Sequence, residues 1–150
     1  ALRLPTIVVR PGKPNAAASS FASGIIREPL AGVEAICPVA ESTSLWLMSP
    51  KTAIDNLLHA HETPSAAWGT TRAVNLPGLT ASVREMIDAL KAVGGSAAAN
   101  RVRFEVDDRI ARIVYGWPAR FDAAQARELG FSRDADIVSV VRAYAKEHVR

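Results

Sequence analysis

The chain opens on Ala1-Leu2-Arg3-Leu4-Pro5-Thr6-Ile7-Val8-Val9-Arg10-Pro11-Gly12, and residues 1–9 of this stretch constrain the rest. The run is apolar and β-branched for most of its length and stops at Pro11-Gly12. Such a run reads as a strand buried on both faces, the setting of a middle strand in a parallel sheet. A middle strand needs a neighbour on each edge, and here the strand comes first in the chain. The expectation is an α/β chain that forms the C-terminal part of a larger protein. The rival expectation is a stand-alone, non-catalytic binding or oligomerisation module that covers strand 1–9 with a second copy, as a homodimer.

A length of 150 residues, with 49% hydrophobic and 22% charged side chains, suffices for one real core. The net charge of +3 is spread along the chain, and the aromatic residues do not interleave with arginines as stacking platforms. Both points argue against a nucleic-acid partner, despite a pI near 9.4. Cys37 is the single cysteine, which excludes an internal disulfide framework and a cysteine-cluster metal site. In an apolar strand it reads as a packed thiol. No apolar run approaches the roughly 20 residues that a membrane span requires. The start lacks the layout of a secretory signal, so no membrane partner and a cytoplasmic location are expected.

Along the chain, Ser19 or Ser20 starts a short helix that carries Phe21, Ile25 and Ile26 and stops near Pro29. Gly32 to Val39 and Leu45 to Met48 read as strands. Ser49-Pro50 opens a helix with Ile54, Leu57, Leu58 and His61 on its apolar stripe. Residues 72–76 read as a strand followed by a Pro77-Gly78 turn. Ser82-Val83-Arg84-Glu85 is a capping box before a helix that Gly94-Gly95 stops. Val102 to Val106 alternates as a half-exposed strand. Asp107 or Asp108 caps the next helix, which Trp117-Pro118 breaks. Asp122 caps another with Gly130 at its end, and the last helix runs from about Asp134 to His148. His59 and His61, two apart on one helix, point about 200° from each other, so no metal site is expected of them.

Four phrases, in order, resemble the C-terminal half of the extended short-chain dehydrogenases, the NAD-dependent epimerase/dehydratase family. Leu2-Arg3-Leu4-Pro5-Thr6-Ile7-Val8 is similar to the family's sixth core strand. Thr43-Ser44-Leu45-Trp46-Leu47-Met48-Ser49-Pro50 is similar to its Thr-Arg-Asp-Phe-Val-Tyr-Val-Asp segment. Val74-Asn75-Leu76-Pro77-Gly78 followed by Ser82-Val83-Arg84-Glu85 resembles its Asn-hydrophobic-Gly and Ser-hydrophobic-Arg-Glu phrases. Phe121-Asp122-Ala123-Ala124-Gln125-Ala126-Arg127-Glu128-Leu129-Gly130-Phe131 resembles its Glu-Leu-Gly-aromatic phrase. Within the family, the segments at 3–15 and 45–50 look closest to the D-erythronate dehydrogenase-like branch.

The resemblance implies a fold class and a division of the chain. Residues 1–62 would include C-terminal strands that complete a Rossmann-type sheet. Residues 63–150 would be a small helical, two-stranded cap belonging to the mixed α/β substrate domain. It also implies NAD as cofactor and a small sugar acid, or a sugar undergoing epimerisation, as substrate. Two family motifs are absent from the chain: the Gly-x-x-Gly-x-x-Gly phosphate loop and the Tyr-x-x-x-Lys pair that takes the substrate proton. No catalytic residue is therefore expected on it, and the chain alone is expected to be inactive without a preceding Rossmann half. Ser44 stands where many relatives carry a phosphate-binding arginine, which favours a small substrate over a nucleotide-sugar.

By the same resemblance, Pro5, Thr6 and Ile7 lie against the nicotinamide carboxamide, with plain strand packing as the other reading. Arg10 and Asn15 follow the carboxyl end of that strand, where ligands of open α/β sheets bind. Arg10 suits a carboxylate, or else is a solvated loop residue. Ser19, Ser20 and Phe21 open the helix that contacts substrate in the family, and an N-cap explains the serines equally well. Trp46 is either core or pocket lining.

Overall fold

The computed structural model describes residues 1–70 and 72–149. The opening stretch is two short strands rather than one, β1 (Leu2–Arg3) and β2 (Thr6–Ile7). They belong to different sheets: β1 pairs in parallel with β5 (Val74–Asn75), and β2 pairs in parallel with β4 (Ser44–Met48). Proline explains the split, because Pro5 has no amide hydrogen to give a ladder and fixes its own backbone angle. The uninterrupted strand buried on both faces is thus corrected. Leu4 is exposed, Thr6 and Ile7 are half-buried, and Pro5 is buried, with Val8 and Val9, past the end of β2, sealed in the core.

β4 is the middle strand of its sheet, in the order β2–β4–β6. Strand β6 (Leu79–Ser82) runs antiparallel to β4 and sets Trp46 opposite Thr80. It lies where the sequence read only as a turn leading into a cap. A third sheet pairs β3 (Ala35–Cys37) with β7 (Val102–Phe104) in parallel.

Helix α1 (Ser20–Leu30) includes Pro29 and stops one residue beyond it. Pro29 has no amide hydrogen to give the Ile25 carbonyl, and the helix ends at the next residue. Helix α2 (Pro50–Glu62) starts as expected, with the Ser49 hydroxyl accepting from the Thr52 amide. Its burial is shifted from the expected stripe. Ile54, Leu57 and Leu58 are 57, 47 and 58% exposed, whereas Ala53 and Asn56 face inward. A short 3-10 turn (Ser65–Trp68) follows. Helix α3 (Val83–Ala99) carries the capping box and is broken at Gly95, whose φ of 78° only glycine adopts readily. Helices α4 (Asp108–Tyr115), α5 (Ala124–Glu128) and α6 (Ile137–His148) complete the chain.

Asp107 is the cap of α4, accepting from the Arg109 and Ile110 amides at 2.9 Å. Asp122 accepts from the Ala124 amide at 2.9 Å. Asp136 caps α6, which starts at Ile137, three residues later than expected. Two apolar clusters form the core. One joins α1, β3, β4, α3 and α6. The other, around Met48, Val74, Leu76 and Phe131, joins α2 to β5 and α5. No helix among the described residues is long and apolar enough to cross a membrane.

Candidate functional site

The site forms where β2, β4 and the loop after α4 meet. Trp46 lies midway along β4, and its ring stacks on Phe121 with centroids 3.9 Å apart and planes 27° apart. On one side of this pair is a small cavity of about 200 Å3, lined by Leu4, Thr6, Ser44, Trp46, Trp117 and Phe121 among others. Thr6 is brought there by its register opposite Leu47, one residue from Trp46. Two hydroxyls, Thr6 and Ser44, thus share a wall with three aromatic rings. Such a lining offers a small polyhydroxylated ligand apolar faces to rest on and hydrogen bonds to make.

Pro5 is buried and Ile7 packs against the core cluster of Met48 and Val74, so both support the cavity rather than line it. Arg10 does not reach this cavity. Its amide donates to the Ser23 hydroxyl at 3.0 Å, and its carbonyl accepts from the Arg27 guanidinium at 2.8 Å. That pair fixes the loop after β2 onto α1.

Asn15, Ser20 and Phe21 come together elsewhere, in an open groove of about 720 Å3 between the start of α1 and the β3–β7 sheet. The Ser20 hydroxyl accepts from the Asn15 amide at 3.1 Å, and Asn15 Oδ1 accepts from the Ala17 amide at 3.0 Å. Ser19 occupies the cap position of α1 without a side-chain capping bond. The groove is also acidic, with Glu28 on α1 and Glu34, Glu105 and Asp107 on the other wall. The expected site residues are therefore split between two places, Thr6 and Trp46 in one and Asn15, Ser20 and Phe21 in the other.

A third cavity, of about 760 Å3, lies on the other side of the Trp46–Phe121 pair and is bordered by Arg120, Arg127 and Arg133. The residues that the sequence reading missed are these arginines, Phe121 and Trp117. Phe121 could have been found, since it precedes the capping Asp122 inside a family phrase. The arginines are scattered over 14 positions and have no spacing signal.

His59 accounts for itself structurally: Nε2 lies 2.7 Å from the Leu129 carbonyl, and the ring meets Phe131 edge-on. The Cys37 thiol donates to the Val39 carbonyl at 3.5 Å, and burial pushes its pKa up, away from a reactive thiolate.

Comparison with known proteins agrees with this architecture. The chain is 55% identical over 146 residues to D-erythronate dehydrogenase of Cupriavidus necator and 46% identical over 143 residues to that of Haemophilus influenzae. These alignments cover 97% and 95% of the chain but 45% of each relative, so the chain spans about half the length of the curated relatives it matches. The crystal structure of a nucleoside-diphosphate-sugar epimerase from Agrobacterium tumefaciens superposes with a TM-score of 0.93 at 43% identity, over 98% of this chain and 43% of that one. The chain matches the C-terminal part of an epimerase-type short-chain dehydrogenase. A GalE-like L-threonine dehydrogenase from Cupriavidus necator has the same fold, with a TM-score of 0.85 at 20% identity, over 97% of this chain and 46% of that one. No protein-family model matches the chain.

Proposed function

We propose that this chain is the substrate-binding part of an NAD-dependent oxidoreductase that acts on a small sugar acid, D-erythronate or a close analogue. The observation that carries the reading is the 55% identity to a D-erythronate dehydrogenase over 97% of the chain. The small cavity supports it. At about 200 Å3, with Ser44 in place of a guanidinium, it suits a four-carbon hydroxy acid better than a nucleotide-sugar.

Residues 1–62 would complete the sheet of a preceding Rossmann half, which would be their principal partner, and residues 63–150 would cap the substrate. The half-buried edge of β2 and the exposed apolar face of α2 fit a chain segment packed there. The fit to NAD on this chain is limited to one end of the cofactor. Thr6, on a cavity wall with aromatic neighbours, suits the carboxamide of a nicotinamide, with Pro5 and Ile7 fixing its strand. The bound cofactor would supply the hydride acceptor. This chain would orient the substrate through Ser44, and Trp46 and Trp117 would shield it from water.

The test is NAD reduction by the full-length polypeptide, followed at 340 nm with D-erythronate and other short sugar acids. The expected result is turnover on a four-carbon acid, with Trp46→Ala raising KM. Nucleotide-sugar epimerisation without any sugar-acid oxidation would overturn the proposal.

A further inference from the structure

Arg120, Arg127 and Arg133 are exposed and border one cavity beside the Trp46–Phe121 pair. Arg27, Arg84 and Arg103 each meet a glutamate, at Glu28, Glu41 and Glu34. Arg3, Arg72 and Arg101 each donate to a side chain or a carbonyl. Among the described residues, the guanidinium groups of Arg120, Arg127 and Arg133 have neither an ion pair nor a hydrogen bond, as is also true of Arg10, Arg109, Arg112 and Arg142, but these three share one cavity of about 760 Å3 that no carboxylate lines. We infer that this cavity is a binding site for a small oligoanion, a ligand carrying at least two carboxylate or phosphate groups.

The backbone that carries the arginines is pinned on both sides. The Thr80 hydroxyl donates to the Ala119 carbonyl at 2.7 Å, just before Arg120. The Asn56 side chain donates to the Ser132 carbonyl and accepts from the Ser132 amide, each at 2.9 Å, just before Arg133. Between them, α5 closes through the Phe131 amide on the Ala126 carbonyl at 3.0 Å. Three cations converging on one space repel one another when it holds only water, and an anion relieves that repulsion. Guanidinium is also the cation best shaped for paired oxygens on one carboxylate or phosphate. The Trp46–Phe121 pair supplies an apolar wall, and the volume falls within the range of metabolite pockets.

This site is separate from the small cavity assigned above to the sugar acid, which lies across the aromatic pair. It therefore does not depend on the dehydrogenase reading. Its ligand would be a second molecule, bound with or without turnover.

The test is isothermal titration of the full-length protein with inorganic pyrophosphate and, separately, with citrate, at constant ionic strength. The expected result is saturable one-site binding of at least one probe, weakened about ten-fold or more in R120Q/R127Q/R133Q. The control R109Q/R112Q/R142Q removes the same charge from exposed positions outside the cavity and should bind as the parent does. Binding of pyrophosphate alone assigns the site to phosphates, and binding of citrate alone to carboxylates. If the triple variant loses its far-UV signal, the single variants R127Q and R133Q carry the test. Absence of saturable binding by either probe, or equal weakening in the control, would overturn the inference.

Discussion

Trp46 lies so close over Gly78 that a Cβ on residue 78 would sit 2.2 Å from the indole Nε1 and 2.8 Å from Pro5 Cγ. The glycine is there for space. It lets the turn between β5 and β6 pass beneath the ring that separates the two cavities. Gly78→Ala must displace a stacked indole or a buried proline, neither of which is a flexible side-chain end. The expected cost is about 1–3 kcal/mol, with a change in tryptophan emission as the ring leaves Phe121. Urea unfolding and fluorescence of the variant check this, and an unchanged midpoint with an unchanged spectrum would contradict it.

Asp134 organises the start of α2. Its carboxylate accepts from the Ser49 amide at 2.8 Å, from the Ser49 hydroxyl at 2.6 Å and from the Thr52 hydroxyl at 2.7 Å. A negative charge at a helix N-terminus also interacts favourably with the helix dipole. Asp134→Ala leaves a largely buried amide and hydroxyl without this acceptor, and is expected to cost about 2 kcal/mol. Asp136→Ala, which removes only the α6 cap, should cost about 1 kcal/mol. Equal unfolding midpoints for D134A and the parent would remove this role.

The sequence pattern located most elements because their signals are local. Ser49-Pro50, the capping box at Ser82 and Gly130 act within one turn of chain, so nothing distant can override them. The opening strand and the face of α2 were misread for the opposite reason. Burial at Leu2–Ile7 depends on which strands pair with β1 and β2, and Pro5 sends those two strands to different sheets. In α2, Asn56 is 1% exposed because Ser132, 76 positions away, satisfies its amide, a partnership that periodicity cannot announce. The three arginines likewise border one cavity only once α5 has packed against β5.

The assignment of α2's inner face is directly testable in this chain. Asn56→Ala leaves the Ser132 amide and carbonyl without partners and is expected to cost about 2 kcal/mol. Leu57→Ala, one residue on and 47% exposed, should change stability by no more than about 0.5 kcal/mol. Measured unfolding energies in the reverse order would restore the stripe of Ile54, Leu57 and Leu58 as the core face.

The capping box of α3 gives a pH dependence with a definite sign. Glu85 Oε2 accepts from the Ser82 amide at 2.7 Å and from the Ser82 hydroxyl at 2.8 Å, and these bonds hold the Glu85 pKa below its ordinary 4.5. A carboxyl group whose folded pKa is depressed contributes stability above its unfolded value, and that contribution is lost as pH falls through the folded value. The stability difference between the parent and Glu85→Gln should therefore be constant at neutral pH. It should shrink once pH drops below 4.5 and vanish at lower pH, where both residues are neutral. Because Glu85 is solvent-exposed, screening keeps the effect small, and added salt should reduce it further. Ser82→Ala should cost about 1 kcal/mol at neutral pH, since it removes the acceptor for the Glu85 amide as well. Denaturant unfolding of the parent and both variants at several pH values decides the matter. A difference that grows as the solution is acidified would mean that Glu85 is not held ionised by the cap.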